Sequence, residues 1–233
     1  DSFALLLADL PHRYAVLPAL RKAMAAIEEP FEDGALSMQL AASVGVDIYP
    51  DPDELRPSEG RSRTAAAMIE RATEALRRAK ETRPGSYLFF DDEVDELMHE
   101  RVRTEAELRE ALATDQLVLH YQPRIDLATG AIHSVEALVR WLHPERGLLK
   151  PADFLPLAEE VQLGQALFEW VLDTACRQAK RWQEERVPRR VAVNISPQAL
   201  ERHDLAATVK AALQRHDLHP ALLEIEVSER TAL

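Results

Sequence analysis

The chain has 233 residues, and its 28 Lys plus Arg against 40 Asp plus Glu give a formal charge of −12, which excludes a surface built for non-specific nucleic-acid binding. Hydrophobic residues make up 46% and charged residues 29%, the balance of a globular protein with a sizeable core rather than a disordered one. No apolar run is long enough to span a bilayer, no basic segment followed by an apolar one opens the chain as an export signal, and the single cysteine, Cys176, has no internal disulfide partner. A cytoplasmic setting fits these features, with any tether to the inner membrane supplied by upstream regions. The start at Asp1-Ser2-Phe3, without Met, reads as a chain cut from a longer protein.

Taken in order, Phe3 to Leu7 reads as a buried strand. Arg13 to Glu29 reads as a helix with Leu17, Leu20, Met24 and Ile27 on one side. Leu36 to Tyr49 alternates around Ser43-Val44-Gly45, and Pro50-Asp51-Pro52 ends it. Arg61 to Lys80 is amphipathic, with Ala65, Met68, Ile69, Ala72, Ala75, Leu76 and Ala79 on one face. Tyr87 to Phe90 closes this unit as a short strand. The charged stretch Asp91 to Ala113 reads as a connecting helix, with a helix that transmits motion between domains as the alternative. Its acidic start, Asp91-Asp92-Glu93, fits a solvated helix N-terminus.

The third region begins near Thr114. Leu117 to Gln122 is expected as a strand, Asp126 to Gly130 as a turn, and Ile132 to Leu138 as a second strand. Asp153 to Glu184 is helical with a break near Gly164, and Val191 to Ile195 and Leu223 to Val227 are strands separated by a helix over Asp204 to Arg215. Strands alternating with helices predict a parallel α/β architecture.

Within VEALVRW, Val135 to Trp141, an acid and a base stand among apolar neighbours at what reads as a strand end. A carboxylate there is costly to bury unless it binds a metal or pairs with a cation. Period-two parity places Val191, Val193 and Ile195 on one face and Ala192, Asn194 and Ser196 on the other; Leu223, Ile225 and Val227 likewise oppose Glu224, Glu226 and Ser228. Glu136, Asn194 and Glu226 then sit toward the C-terminal ends of their strands, where parallel barrels place chemistry. Three oxygen donors on successive strands suit a hard divalent ion. Blander readings stand beside this one: a Glu136–Arg140 ion pair, Asn194 as a cap for the turn before Pro197, and Glu224 with Glu226 as a solvated strand face. His120, His133 and His143 lack metal-ligand spacing and read as structural.

The run YQPRIDLATG, VEALVRWLHPERGLLKPADFLPLAEE, VAVNIS and LEIEVSER, nearly continuous from Leu117 to Glu229, resembles the N-terminal half of an EAL domain, the cyclic di-GMP phosphodiesterase family. That resemblance implies a modified (β/α)8 barrel with one antiparallel strand. It also implies Mg²⁺ or Mn²⁺ held by Glu136, Asn194 and Glu226, and a substrate phosphate met by Arg140. Gln122 and Leu138 would line the substrate pocket, and Glu229 would be a second catalytic acid steadying an active-site loop. Arg230 stands where the family usually has serine.

The preceding residues resemble the C-terminal part of a GGDEF, or diguanylate cyclase, domain through FALLL, ASVGVDIYP, the pattern ending at Lys80, and YLFFD. Ser2 replaces the usual glutamate of that motif, and Thr73 and Arg77 replace the usual Asp and Tyr, so a degenerate regulatory domain is expected, with GTP as its effector. The expected organisation is therefore residues 1–91 as this partial GGDEF domain, 92–113 as a linker helix and 114–233 as half an EAL barrel, in a homodimer. The implied activity is hydrolysis of cyclic di-GMP to linear pGpG, with a catalytically silent cyclic di-GMP receptor as the competing reading and an active bifunctional enzyme disfavoured by Ser2. The family's paired aspartates, lysine and later glutamates are expected beyond Leu233, so residues 1–233 alone are expected to show no turnover.

Overall fold

The computed structural model describes residues 2–33, 36–49, 64–195, 197–200 and 203–227. It divides into two compact units, Asp1–Val102 and Arg103–Leu233. The expected terminator Pro50-Asp51-Pro52, Ser196, Ser228, Glu229 and Arg230 lie outside the described residues.

In the first unit a 3-10 turn at Arg13–Ala15 leads into α1 (Val16–Glu28). β1 (Phe31–Asp33) and β2 (Leu36–Met38) pair antiparallel. β3 (Val44–Val46), α2 (Ala65–Thr82) and β4 (Tyr87–Phe89) follow, and β3 and β4 pair in parallel. A parallel pair needs a crossover, which α2 supplies. The start of α2 is fixed by Thr64, whose side-chain oxygen accepts a hydrogen bond from the Ala67 N–H at 3.2 Å. The helix lies so close to β3 that a Cβ on Gly45 would stand 2.0 Å from the Ala72 carbonyl oxygen and 2.1 Å from the Leu76 nitrogen. Hydrogen is the only side chain this approach admits.

The core of this unit is small: buried Val16, Leu17, Phe89 and Met98, with Tyr14, Val46, Ile48, Tyr87, Val94 and Val102 packed around them. Several sequence expectations fail here. Phe3 to Leu7 forms no strand, and Phe3 is 94% and Leu6 82% exposed. A strand exists only where a neighbour supplies its backbone hydrogen bonds, and no ladder among the described residues takes up this segment. The apolar stripe of α1 is buried at Leu17 and Leu20 but not at Ile27, and on α2 the buried face runs through Ala75 and Ala79 and leaves Ile69 58% exposed. Helical spacing sets which residues share a face; burial also requires something to lie against that face.

α3 (Asp92–Ala113) begins where Asp91 accepts hydrogen bonds from the N–H groups of Glu93 and Val94, and its second half belongs to the second unit. The second unit continues with β5 (Leu117–Ile125), β6 (Ile132–His143), β7 (Gly147–Leu149), α4 (Pro151–Glu160) and α5 (Gly164–Glu184). β8 (Arg190–Asn194), the short α6 (Pro197–Leu200), α7 (Leu205–Arg215), a 3-10 turn at Pro220–Leu222 and β9 (Leu223–Glu226) complete it. Its sheet runs β5-β6-β8-β9, with β7 paired to the far end of β6. β5 is antiparallel to β6, whereas β6, β8 and β9 are mutually parallel.

The β5–β6 hairpin is tied by Asp126, whose Oδ1 accepts hydrogen bonds from the N–H groups of Ala128 at 2.9 Å and Thr129 at 2.8 Å. Gly130, at φ +69°, supplies the left-handed residue that closes it. The expected break between the two long helices falls at 161–163, where Gln162 takes a positive φ of 60° and the Leu163 N–H donates to the Ala158 carbonyl at 2.7 Å.

The core contains Val135, Ala137, Val139 and Trp141 of β6, the buried stripe of α5 from Leu167 to Ala179, and Val191 and Val193 of β8. Trp141 is fully buried, packs edge-on against Phe154 and donates its indole N–H to Gln116 Oε1 at 3.1 Å. One parity expectation changes: Ala192, assigned to the polar face of β8, is as buried as Val191 and Val193. A central parallel strand is covered on both faces. Cys176 is buried within α5, and burial, aided by Asp173, pushes its thiol up to about 11, so it is an unreactive core residue.

Candidate metal and substrate site

The alternation of β6 sends Val135, Ala137, Val139 and Trp141 into the core, so Glu136, Leu138 and Arg140 share the opposite, half-buried face. Cross-strand register sets Gln122 of β5 opposite Glu136, and Asn194 of β8 opposite Glu226 of β9. Glu136, expected toward the C-terminal end of a strand over Ile132 to Leu138, lies mid-strand, because β6 runs on to His143. It lies instead at the end of the parallel part of β6, whose pairing with β8 covers Ser134 to Ala137 before the strand continues beyond β8. In the parallel ladder all three expected metal ligands therefore occupy C-terminal positions.

Their side chains meet. Asn194 Nδ2 donates to Glu136 Oε1 at 2.8 Å. Arg124 Nη2 donates to Glu136 Oε2 at 3.1 Å and to Glu226 Oε2 at 2.7 Å, while its Nη1 pairs with Glu226 Oε1. Arg124 and Glu226 stand on β5 and β9, the two ends of the four-strand path. At about 4.8 Å per strand those positions are about 14 Å apart on a flat sheet, and side chains rise roughly perpendicular to it. Direct contact therefore requires a concave face, as in a barrel wall. The Glu136 and Glu226 side chains are 25% and 24% exposed, buried enough to lose much of their hydration and open enough for an ion to enter.

Arg140 shares this face but gives one N–H to the Val139 carbonyl at 2.8 Å; its expected alternative, an ion pair with Glu136, is replaced by Arg124–Glu136. The Asn194 side-chain amide N–H, for its part, donates to Glu136. Leu138 is half-buried beside Glu136, and Gln122 is exposed at the rim. Glu229 is outside the described residues. Arg124 is the residue that sequence reasoning missed; its place two residues after Gln122 on one strand puts it on the same face, and that parity was the available signal. The two carboxylates, Glu226 foremost, push its pKa further up, so it is a permanent cation.

The donor set fits a hard divalent ion: two carboxylates already share one cation, and Asn194 points its amide at the same carboxylate. Among the described residues no group of three or more His, Cys, Asp or Glu could hold a metal, so the ion would depend on the Asn194 amide oxygen as well as the two acids.

His143, which the sequence reads as structural, lies in a hydrogen-bonded cluster apart from this site. Buried His143 accepts at Nδ1 from the N–H groups of Glu145 and Arg146, each at 3.1 Å, which leaves its Nε2–H to donate to Glu107 of α3 at 3.1 Å. Tyr121, on the core face of β5, lies edge-on to Trp182 at 4.9 Å, and burial pushes its hydroxyl up to about 12. It is no acid or base near neutral pH.

Parallel strands that bring oxygen donors to one C-terminal edge, behind a reversed first strand, define a barrel-wall α/β unit with an acidic mouth. The family model for the EAL domain matches residues 105–233, more than half the chain, and the chain belongs to that family. A bifunctional diguanylate cyclase/cyclic di-GMP phosphodiesterase, MucR of Pseudomonas aeruginosa, is 36% identical over 100% of this chain and 33% of its own length. The cyclic di-GMP phosphodiesterase PdeR of Escherichia coli is 34% identical over 98% of this chain and 33% of its own length. The solved PaMucR phosphodiesterase in complex with c-di-GMP is 45% identical, covers 56% of this chain and 53% of that chain, and superposes with a TM-score of 0.54. The chain thus spans about a third of the length of these two curated relatives. No helix among the described residues is long and apolar enough to cross a membrane.

Proposed function

We propose that the full-length parent protein hydrolyses cyclic di-GMP to linear pGpG at a divalent-metal site built in part from Glu136, Asn194 and Glu226. The observation that carries this reading is the convergence of those three side chains, from three parallel strands, with the two glutamates mostly covered and Asn194 exposed beside them. Relatives named as cyclic di-GMP phosphodiesterases supply the substrate class. Glu136, Asn194 and Glu226 would hold Mg²⁺ or Mn²⁺, which would supply water activation and polarisation of a phosphoryl oxygen. Glu136 and Glu226 neutralise the ion, and Asn194 adds an oxygen while holding Glu136 in place. Arg140 offers a planar fork to a substrate phosphate from the same strand face, with Leu138 between it and Glu136. Gln122 reaches the substrate from the rim, and Glu229 acts as the second acid.

Residues 1–91 are read as the C-terminal part of a degenerate GGDEF domain that takes GTP as an effector, joined by the helix at 92–113 to half of an EAL barrel at 114–233. Identity along the whole chain with a bifunctional cyclase/phosphodiesterase supports this. The assembly is a homodimer in the cytoplasm.

The test is Glu136→Ala in the purified full-length parent protein, with Mn²⁺ present and the nucleotides resolved by chromatography. Formation of pGpG should fall to background while cyclic di-GMP still binds. Hydrolysis at the unsubstituted rate would refute the site; binding without turnover in the unsubstituted protein would favour a receptor.

A further inference from the structure

Arg124 has two carboxylates on one guanidinium. Its Nη2 is within hydrogen-bond distance of oxygens from both Glu136 and Glu226, at 3.1 and 2.7 Å, and Nη1 reinforces the contact with Glu226. The nitrogen therefore occupies the space between the acids that a bridging ion would take. A small divalent ion binds oxygen at about 2.0–2.1 Å, roughly 1 Å closer than a hydrogen-bonded nitrogen. Drawing the carboxylates in to that distance leaves no room for the guanidinium, and a divalent ion repels it at such range.

Charge counting gives the same answer. Two carboxylates and one Arg leave the cluster with a net negative charge; two carboxylates and one divalent ion are neutral; all four together are positive in a half-buried place. The guanidinium also cannot leave by losing its proton, since an arginine side chain stays protonated in proteins. It can only swing away from the two acids, and its side chain, 38% exposed, already reaches solvent.

We propose that Arg124 is an internal counter-cation of the metal site: it holds Glu136 and Glu226 together before the ion arrives, is displaced when the ion binds, and thereby sets the metal affinity. This rests on the metal-site reading of the preceding subsection. Arg124 is a positioning residue here, acting on the ion through the two acids. Its presence weakens metal binding by competition, while it keeps the like-charged carboxylates from driving the strands apart in the metal-free state.

The experiment is a calorimetric titration of the metal-stripped protein with MnCl2, for the unsubstituted protein, Arg124→Gln and Arg124→Lys, together with a melting curve of each in EDTA. Arg124→Gln should bind Mn²⁺ about tenfold or more tightly, by removal of one competing cation, and should melt lower in EDTA. Arg124→Lys, a cation without the fork, should lie between the two on both measures, and it carries the test if the Gln variant does not fold. Equal or weaker Mn²⁺ binding by both variants, with normal binding by the unsubstituted protein, overturns the role of Arg124 alone. Absence of Mn²⁺ binding in all three folded proteins overturns the metal site and this inference together.

Discussion

In residues 103–233, the strands β6 and β8 are packed beneath α5, and β8 is buried on both faces; in residues 1–102, the ladder β3–β4 has α2 packed directly on Gly45 and only a small core of Val16, Leu17, Phe89 and Met98. The charges differ in the same way. Arg77 pairs with Glu74 and Glu81 along the exposed side of α2, an arrangement any solvated helix can carry. Arg124 also has two acidic partners, but they come from different strands and are mostly covered. Local sequence can place charges on a helix; only a curved sheet can bring two acids from distant strands onto one cation. The second unit has the packing to hold such a costly arrangement.

The contrast can be broken first at its packing. Trp141→Ala empties the centre of the second core and orphans Gln116, and should destabilise that unit by about 3–5 kcal/mol. Gly45→Ala in the first unit sets a methyl against the backbone of α2 and should cost about 3 kcal/mol, the upper end for overpacking. Hydrogen exchange separates the two: protection should fall in β6 and β8 for the first variant and in β3 and α2 for the second. The reverse ranking would mean that the first unit holds the tighter packing.

A smaller effect concerns acid. Burial opposes the charge on Asp173, but hydrogen bonds from His216 at 2.9 Å and from Arg215 outweigh it and hold the carboxyl below its ordinary range. A depressed folded pKa contributes stability that is present above the unfolded value of about 3.9 and is lost as pH falls through the folded value. Asp173→Asn should therefore lose less stability than the unsubstituted protein between about pH 5 and about pH 2. Parallel acid limbs in the two denaturation series would remove Asp173 from the account.

The helices and strands of the second unit were legible because their periodicity, turns and caps agree with the burial that the fold supplies. Gly130 closes a turn already marked by Asp126, and the break before Gly164 is where the backbone turns left-handed. Phe3 to Leu7 has the same apolar signal and no ladder among the described residues, because a strand is a property of pairs. At the site, parity identified the faces that carry Glu136, Asn194 and Glu226. It could not show that Arg124 reaches Glu226, since that contact depends on sheet curvature and lies 102 residues apart in sequence. Arg140 was drawn to Glu136 by nearness in sequence, although its nitrogen turns to the Val139 carbonyl.

The most direct test of the central claim is electron paramagnetic resonance of Mn²⁺ added to the metal-stripped protein and to its Asn194→Ala and Glu226→Gln variants. If the three side chains form one ion site, each substitution should release bound Mn²⁺ to solution, weakening affinity by about tenfold or more. Bound Mn²⁺ that persists with undiminished affinity in both variants would place the ion elsewhere and contradict the account.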